Sequence, residues 1–318
     1  MIIGIDISKK TFDIAFFKDH HWHSQVFDQQ LEHYQALLHQ VGMVGNWFVM
    51  EATGSYFLKL ADFITEQGGN VCVLNPKTIH HFGKMRLKRA KTDKKDARLI
   101  AQYGMDYEAE LKKWQSADQD IIHLRQLQSL IALLIQQRTM LTNHQEALAQ
   151  QPEQSESVNK ELAEEKTALN ERIKRLEQEV EERVQRKWSD EYQRLISIAG
   201  IGKVTATALL VMTYGFSRFT EVKEFLSYIG LAPAPHQSGT SIKGKGHISK
   251  IGSPVIRRLL YLCSWTAKKQ NPPCKALYER LKNKGKPEKV IKIAIAHKLL
   301  RQAFAVVLKA QNFDPKMA

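Results

Sequence analysis

Cysteine is scarce in this sequence. Cys72, Cys263 and Cys274 are odd in number, and no two stand in a CxxC spacing. That excludes a disulfide frame and a cysteine-built zinc site, and it points to a reduced, cytoplasmic setting. Long apolar runs are missing too. No stretch reaches the ~20 residues that span a bilayer, and the opening MIIGIDISKK lacks the order of a signal peptide, so no membrane partner is expected. Acids are short in two particular places. From Lys77 to Arg98 nine Lys and Arg accompany only Asp93 and Asp96, and between Lys243 and Lys309 seventeen accompany only Glu279 and Glu288. Over all 318 residues the formal charge is +14. That balance favours phosphate-rich partners and argues nothing about fold.

What is present falls into three parts. IIGIDISKKTFDIAFF reads as a hairpin: a buried strand, a polar SKK turn and a second strand. The following DHHWH, residues 19–23, reads as an exposed loop and not as a metal site. LEHYQALLHQV and SYFLKLADFITEQG carry helical spacing, while NWFVMEATG and NVCVLNP read as short strands. Strands alternating with helices predict an α/β domain over residues 1–115. The period then changes. A long helix runs from about Asp118 until the break near Gln151-Pro152, and a second starts around Ser157. The second sets Leu162, Leu169, Ile173, Leu176, Val180 and Val184 three, four or seven apart between charged flanks, as in a coiled-coil seam. Residues 116–190 are therefore taken as coiled-coil helices, whose seam offers a contact for a homodimer or higher homo-oligomer. An antiparallel pair within one chain is the competing arrangement. Residues 191–318 read as a mainly helical, basic C-terminal domain.

Four carboxylates stand out. Asp6 ends the strand IIGID and Glu51 ends FVME, so neighbouring strand ends can bring them to one sheet edge. Asp93 and Asp96, three apart at a helix start, project from one face. Such a set could hold two magnesium ions roughly 4 Å apart, with manganese as a substitute, and so clamp the oxygens of a phosphodiester. Lys91, Lys94 and Lys95 beside the pair would attract the polyanion. Each acid also has a plain structural alternative: Asp93 as a helix N-cap, Asp96 in a favourable first turn, Asp6 closing a turn and Glu51 at a solvated strand end.

The second constellation is GLAPAPHQSGTSIKGKGHISKIGSPVIRRLL, residues 230–260. Glycines, hydroxyls and cations interleave here, so Lys243, Lys245, Lys250, Arg257 and Arg258 can neutralise phosphates. Gly239 to Lys245 fits the start of a nucleotide-binding GxxxxGK[ST] run. Gly246 then stands where a hydroxyl is required, which excludes that reading. A basic loop touching backbone phosphates is the structural alternative to catalysis. LISIAGIGKVTATALL, residues 195–210, resembles a helix-hairpin-helix turn in which Gly200, Gly202 and Lys203 meet a phosphate; a packing corner explains it as well.

IIGIDISKKTFDIAFF, MEATGSY and KTDKKDA, in this order and spacing, resemble the DEDD-type insertion-sequence transposases. The first hairpin is also similar to that of actin-like sugar kinases, but Ser8-Lys9-Lys10 lacks their phosphate-cradling glycine. The transposase resemblance covers essentially the whole chain. It implies a ribonuclease H-like (RuvC-like) first domain with Asp6, Glu51, Asp93 and Asp96 as its magnesium ligands. It also implies a C-terminal transposase domain whose SG dipeptide carries a nucleophilic serine. Ser238 in QSGTS matches that position, with Ser241 the neighbouring hydroxyl. The expected fold class is thus α/β plus α: a RuvC-like domain, long coiled-coil helices and a mainly helical end. The expected activity is DNA strand exchange between donor and target, guided by a structured non-coding RNA, by a protein that joins the bacterial nucleoid while active. A metal-dependent junction nuclease using water, or a non-catalytic nucleic-acid scaffold, are the alternatives.

Overall fold

The computed structural model describes residues 1–86, 93–116, 118–234, 237–238, 242–243, 247–249 and 252–317. It divides into two compact units, Met1–Ala117 and Asp118–Ala318.

In the first unit β1 (Ile2–Ile7), β2 (Thr11–Lys18) and β3 (His21–Asp28) form an antiparallel meander. After α1 (Leu31–Val41), β4 (Trp47–Glu51) returns parallel to β1, and after α2 (Leu58–Glu66), β5 (Asn70–Leu74) joins parallel to β4. The sheet order is β3-β2-β1-β4-β5. Alternation along the strands sorts side chains to two covered faces. Ile3, Ile5, Phe12, Ile14, Phe48 and Met50 pack with Leu37, Leu60 and Ile64 of α1 and α2. Ile2, Val49 and Cys72 pack on the other face against α3 (Pro76–Met85) and α4 (Asp93–Asp106). The third strand corrects the reading of DHHWH as a loop. Asp19 and His20 make the turn with positive φ, and His21 to His23 already pair with β2. Phe16 stacks on His23, and Phe17 meets Trp22 edge-on, so an edge strand of polar sequence is held by its neighbour.

One close approach fixes the place of α4. A Cβ on Gly4 would lie 2.2 Å from the Ala97 carbonyl oxygen and 2.3 Å from the Ala101 nitrogen. Farther along the helix, a Cβ on Gly104 would lie 2.6 Å from the Ile2 Cγ2 side-chain methyl. The helix therefore runs antiparallel to β1, with its N-terminal turn toward the strand's C-terminal end.

The second unit begins with α5 (Gln119–Leu148) and α6 (Glu156–Lys187). Asp118 pairs with Lys187, Arg138 with Asn170 and Gln145 with Lys166, so the helices are antiparallel. Leu124, Ile131 and Leu134 of α5 join Leu169, Ile173, Val180 and Val184 of α6 in one core. The apolar seam of α6 is thus filled within its own chain, which is the alternative arrangement that the sequence left open. The same core continues through α7 (Ser189–Ile196), the buried α8 (Lys203–Thr213) and α9 (Val222–Ile229). It ends in α10 (Pro254–Gln270), α11 (Pro272–Asn283) and α12 (Glu288–Leu308). Between α9 and α10, β6 (Pro233–Ala234) pairs with β9 (His247–Ile248), and β7 (Gln237–Ser238) pairs with β8 (Ile242–Lys243).

A polar network ties α6 to α7 and α8. Glu181, with a side chain 17% exposed, accepts from Tyr192 Oη at 2.7 Å and Gln185 Nε2 at 2.9 Å, and lies 2.9 Å from Lys203 Nζ. Burial alone would raise the Glu181 carboxyl, but these hydrogen bonds outweigh it and hold the group below its ordinary value. Burial, and then the bond to Glu181, push the Tyr192 phenol up to about 12. Lys203 is 70% exposed, so solvent screens its share and Tyr192 contributes more.

Two outcomes test this account. Gly4→Ala forces a methyl into helix backbone and should destabilise the first unit by on the order of 3 kcal/mol in urea unfolding; a negligible change would mean that α4 does not press on β1. Glu181→Gln should lose about 1 kcal/mol at neutral pH. A depressed folded-state carboxyl stabilises above the ordinary glutamate range, and this contribution fades as pH falls through the folded value. The gap between variant and parent should therefore close on acidification, and a pH-independent gap would count against the network.

Candidate catalytic carboxylates and serine hairpin

The sheet register places the first carboxylates. Ile5 pairs with Met50 in the parallel β1–β4 ladder, so Asp6 and Glu51 follow side by side at the C-terminal ends of both strands. They share the sheet face of Gly4 and Val49, the one that α4 covers. Because α4 runs antiparallel to β1, its first turn arrives beside Asp6. Asp93 opens that helix and Asp96 stands one turn in. Asp6, Glu51 and Asp96 are each half-buried. The side chains of Asp93, Lys94 and Lys95 lie outside the described residues, as does all of Lys91.

The helix is anchored beside this edge. Arg98 Nε donates to Ser24 Oγ at 3.3 Å, and its guanidinium lies 5.8 Å from the Trp22 ring centre. A carboxylate missed by reading the sequence sits here as well. Asp13 of β2 is paired directly with Asp6 and so points to the same sheet face. Its signal was the hairpin itself: with Ser8 and Thr11 closing the turn, positions 6 and 13 must be opposite. Among the described residues, which include the side chains of Asp6, Glu51 and Asp96 but not that of Asp93, no three His, Cys, Asp or Glu are grouped closely enough to hold a metal ion. The donors at this edge are all carboxylate oxygens, a chemistry that fits a hard cation such as magnesium and not zinc.

The serine segment is a paired hairpin, where the sequence was read as a loop. The outer rungs are Pro233 with Ile248 and Ala234 with His247; the inner rungs are Gln237 with Lys243 and Ser238 with Ile242. Ser238, opposite Ile242, is thus the second residue of β7 and pairs with the first of β8. The side chains of Ser238 and Lys243, and all of Ser241, Lys245 and Lys250, lie outside the described residues. At the base, Ser249 N–H donates to the Ala232 carbonyl. Ser253 then caps α10 by accepting from Ile256 N–H, with Pro254 in the first turn. Arg257 Nη1 donates to the Ile229 carbonyl at 3.2 Å and so clamps α10 to the end of α9. Arg258, one residue on, is exposed.

At the GIG turn the three candidates have different surroundings. Gly200, with φ of 107°, lies against α10: a Cβ there would be 2.8 Å from that of Ala267. The neighbouring Ala199 carbonyl accepts from Asn271 Nδ2. Gly202 is the N-cap of α8, and a Cβ there would meet nothing within 4 Å. Lys203 opens α8 with its ammonium on Glu181.

Comparison with known proteins covers both parts of the chain, the first match extending past the first unit through α5. Residues 3–152 match the family model of DEDD-type IS110 transposases, described as a transposase. Residues 192–279 match that of the IS116/IS110/IS902 transposase family. The chain is 32% identical to the pilin gene-inverting protein of Moraxella bovis, over 99% of this chain and 98% of that protein. It is 25% identical to a probable family 20 transposase of Pseudomonas aeruginosa, over 98% of each. It is 24% identical to the transposase for insertion sequence element IS1111A of Coxiella burnetii, over 81% of this chain and 75% of that one. With both family models matched and a relative of 32% identity along almost its whole length, the chain belongs to the IS110/IS116 family of insertion-sequence transposases.

Proposed function

We propose that this transposase cuts and exchanges strands of donor and target DNA, with Ser238 as nucleophile and the carboxylate edge acting on the same phosphate. The observation that supports this reading best is the convergence of the β1 and β4 ends with the first turn of α4, which carries Asp6, Glu51, Asp93 and Asp96 toward one edge. An N-terminal domain of RuvC-like fold is part of the same reading. Asp6, Glu51, Asp93 and Asp96 would hold magnesium, and when bound it would supply positive charge to the oxygens of the phosphodiester.

In the strand-cutting step Ser238 Oγ attacks phosphorus. A phosphorus–oxygen bond to the serine forms, the bond to one sugar oxygen breaks, and the serine proton ends on the departing hydroxyl. The phosphoserine link conserves the phosphodiester energy, so a second DNA hydroxyl can reverse the step on a new strand. Lys91, Lys94 and Lys95 beside the carboxylates, and Lys243, Lys245, Lys250 and Arg258 around the hairpin, would draw the DNA in. A structured RNA pairing with donor and target would supply the sequence choice, since a basic surface by itself reads charge and not bases. A junction nuclease that uses water is the second reading; it needs the carboxylate edge and leaves the serine hairpin without a task.

Covalent chemistry separates the readings. Asp6→Asn, Glu51→Gln, Asp93→Asn or Asp96→Asn should each reduce strand exchange at least ~100-fold while the protein stays folded. Ser238→Ala should lose the protein–DNA adduct and Ser241→Ala should keep it. An adduct recovered on Ser241, or full exchange by the Ser238→Ala protein, would overturn the assignment. The guide is tested separately. The purified protein should retain a discrete RNA whose affinity falls steeply with rising salt, and sequence-specific recombination by RNA-free protein would exclude that part.

A further inference from the structure

The chain turns sharply where α8 ends, and the turn is built under strain. Tyr214, Gly215 and Phe216 follow one another with φ of 54°, 66° and 67°. Left-handed backbone suits the glycine, but it is costly for the bulky aromatic residue on either side. The surroundings hold all three in place. Phe216 is buried, and its ring centre lies 5.0 Å from that of Phe225. Gly215 presses on Trp188, where a Cβ would come 2.3 Å from the indole nitrogen. Thr213 Oγ1 accepts from Phe216 N–H, and Ser217 Oγ donates to the Tyr214 carbonyl. What the turn fixes is the place of one ring. Tyr214 stands half-buried, with the guanidinium of Arg218 3.4 Å from its ring centre and that of Arg125, from α5, at 4.7 Å.

Whichever faces of the ring they take, the two guanidinium carbons lie within about 8 Å of each other. Both side chains are exposed, and among the described residues neither has a carboxylate partner. Other cations of α6 and α7 do: Lys187 is on Asp118, Arg183 on Glu179 and Arg194 on Asp190. The dipole at the end of α8 favours a cation, but it does not account for a second one brought from α5 to the same ring. Two like charges this close repel, and an anion held by both removes that cost. Each guanidinium offers a fork of N–H donors, the geometry that closes on phosphate oxygens. We propose that Arg125 and Arg218, aligned by the Tyr214 ring, form a clamp for a phosphodiester of bound DNA or RNA. A contact of this kind fixes the register of a strand on the protein and reads no sequence. It lies where composition gives no hint, since neither arginine falls in the basic stretches 77–98 and 243–309. The inference rests on the proposed action on nucleic acid, and it is independent of which serine or carboxylate does the chemistry.

The test titrates the full chain, freed of nucleic acid by nuclease and a high-salt wash, against two fluorescent probes. One is a mixed-sequence DNA duplex and the other a mixed-sequence RNA hairpin. The double variant Arg125→Lys with Arg218→Lys keeps the net charge of +14 but loses both forks. Its melting temperature should stay at the parent value, since both side chains are exposed. Its affinity for at least one probe should fall about 10-fold. A loss on DNA alone assigns the clamp to DNA, one on RNA alone to RNA, and one on both to their shared backbone; each supports it. Arg125→Lys and Arg218→Lys taken singly should each give most of the loss, because one phosphate needs both arms. Parental affinity of the double variant for both probes would overturn the proposal, and so would single losses that multiply as independent sites do. A parent protein that binds neither probe is a different result, which removes the nucleic-acid reading and the clamp with it.

Discussion

The α/β unit depends on a contact between two backbones. At Gly4 the sheet offers no side chain, and α4 settles so close that its own carbonyl and amide groups occupy the space a methyl would need. The consequence is positional. Side chains alternate along β1, so the residue two beyond Gly4 on the same face is Asp6, and the residue beside Asp6 in the parallel ladder is Glu51. With α4 held antiparallel at Gly4 and Gly104, its first turn must end near that pair. Any larger residue at position 4 would lift the helix and carry Asp96 away from the strand ends. The placement of the acids is thus written into a glycine several ångströms from any of them.

The helical unit is organised by a different device, polar side chains paired with one another and with aromatic rings. Lys292 is 4% exposed, yet its ammonium lies 3.2 Å from the centre of the Trp265 ring and 3.6 Å from Glu288. Glu288 also receives Lys268 at 2.8 Å and Tyr278 Oη at 3.1 Å. Hydrogen bonding to Lys268 comes first in holding the Glu288 carboxyl below its ordinary value. Asn271 and Gln302 likewise exchange amide hydrogen bonds in the core, and Asn271 reaches the Ala199 carbonyl beside the GIG turn. These contacts lock α10, α11 and α12 together, and with them the base from which the serine hairpin leaves.

How much of this was readable depended on whether the pattern lay in side chains or in backbone pairing. LEHYQALLHQV is α1 with the same bounds, because its apolar spacing alone defines it. Asp6 and Glu51 were legible as strand ends because buried β-branched and aromatic residues precede each. β3 was not, since HWHSQVFD buries only Phe27 and owes its place to a neighbour's backbone. The pairing around Ser238 was missed for the same reason: each ladder has only two rungs, too few for an alternating side-chain pattern to show. Asp13 went unread because its importance is a register, which belongs to two strands together. The apolar row of α6 was legible from its spacing, and only the structure could say that α5 of the same chain packs against it.

Charge gives the clearest case of a sequence signal that needs the structure to be weighed. Seventeen cations between Lys243 and Lys309 read as a footprint for phosphate. Yet Lys292 and Lys268 are committed to Glu288 and to aromatic rings, and Arg257 is committed to the Ile229 carbonyl. Moving such a cation onto a phosphate would break an internal contact, so it adds less to binding than an exposed side chain such as Arg258. A salt slope for nucleic-acid binding counts the phosphates neutralised and not the lysines in the sequence. The useful cations are those whose side chains hold nothing else in place, and on this chain the helical core has already claimed several of the rest.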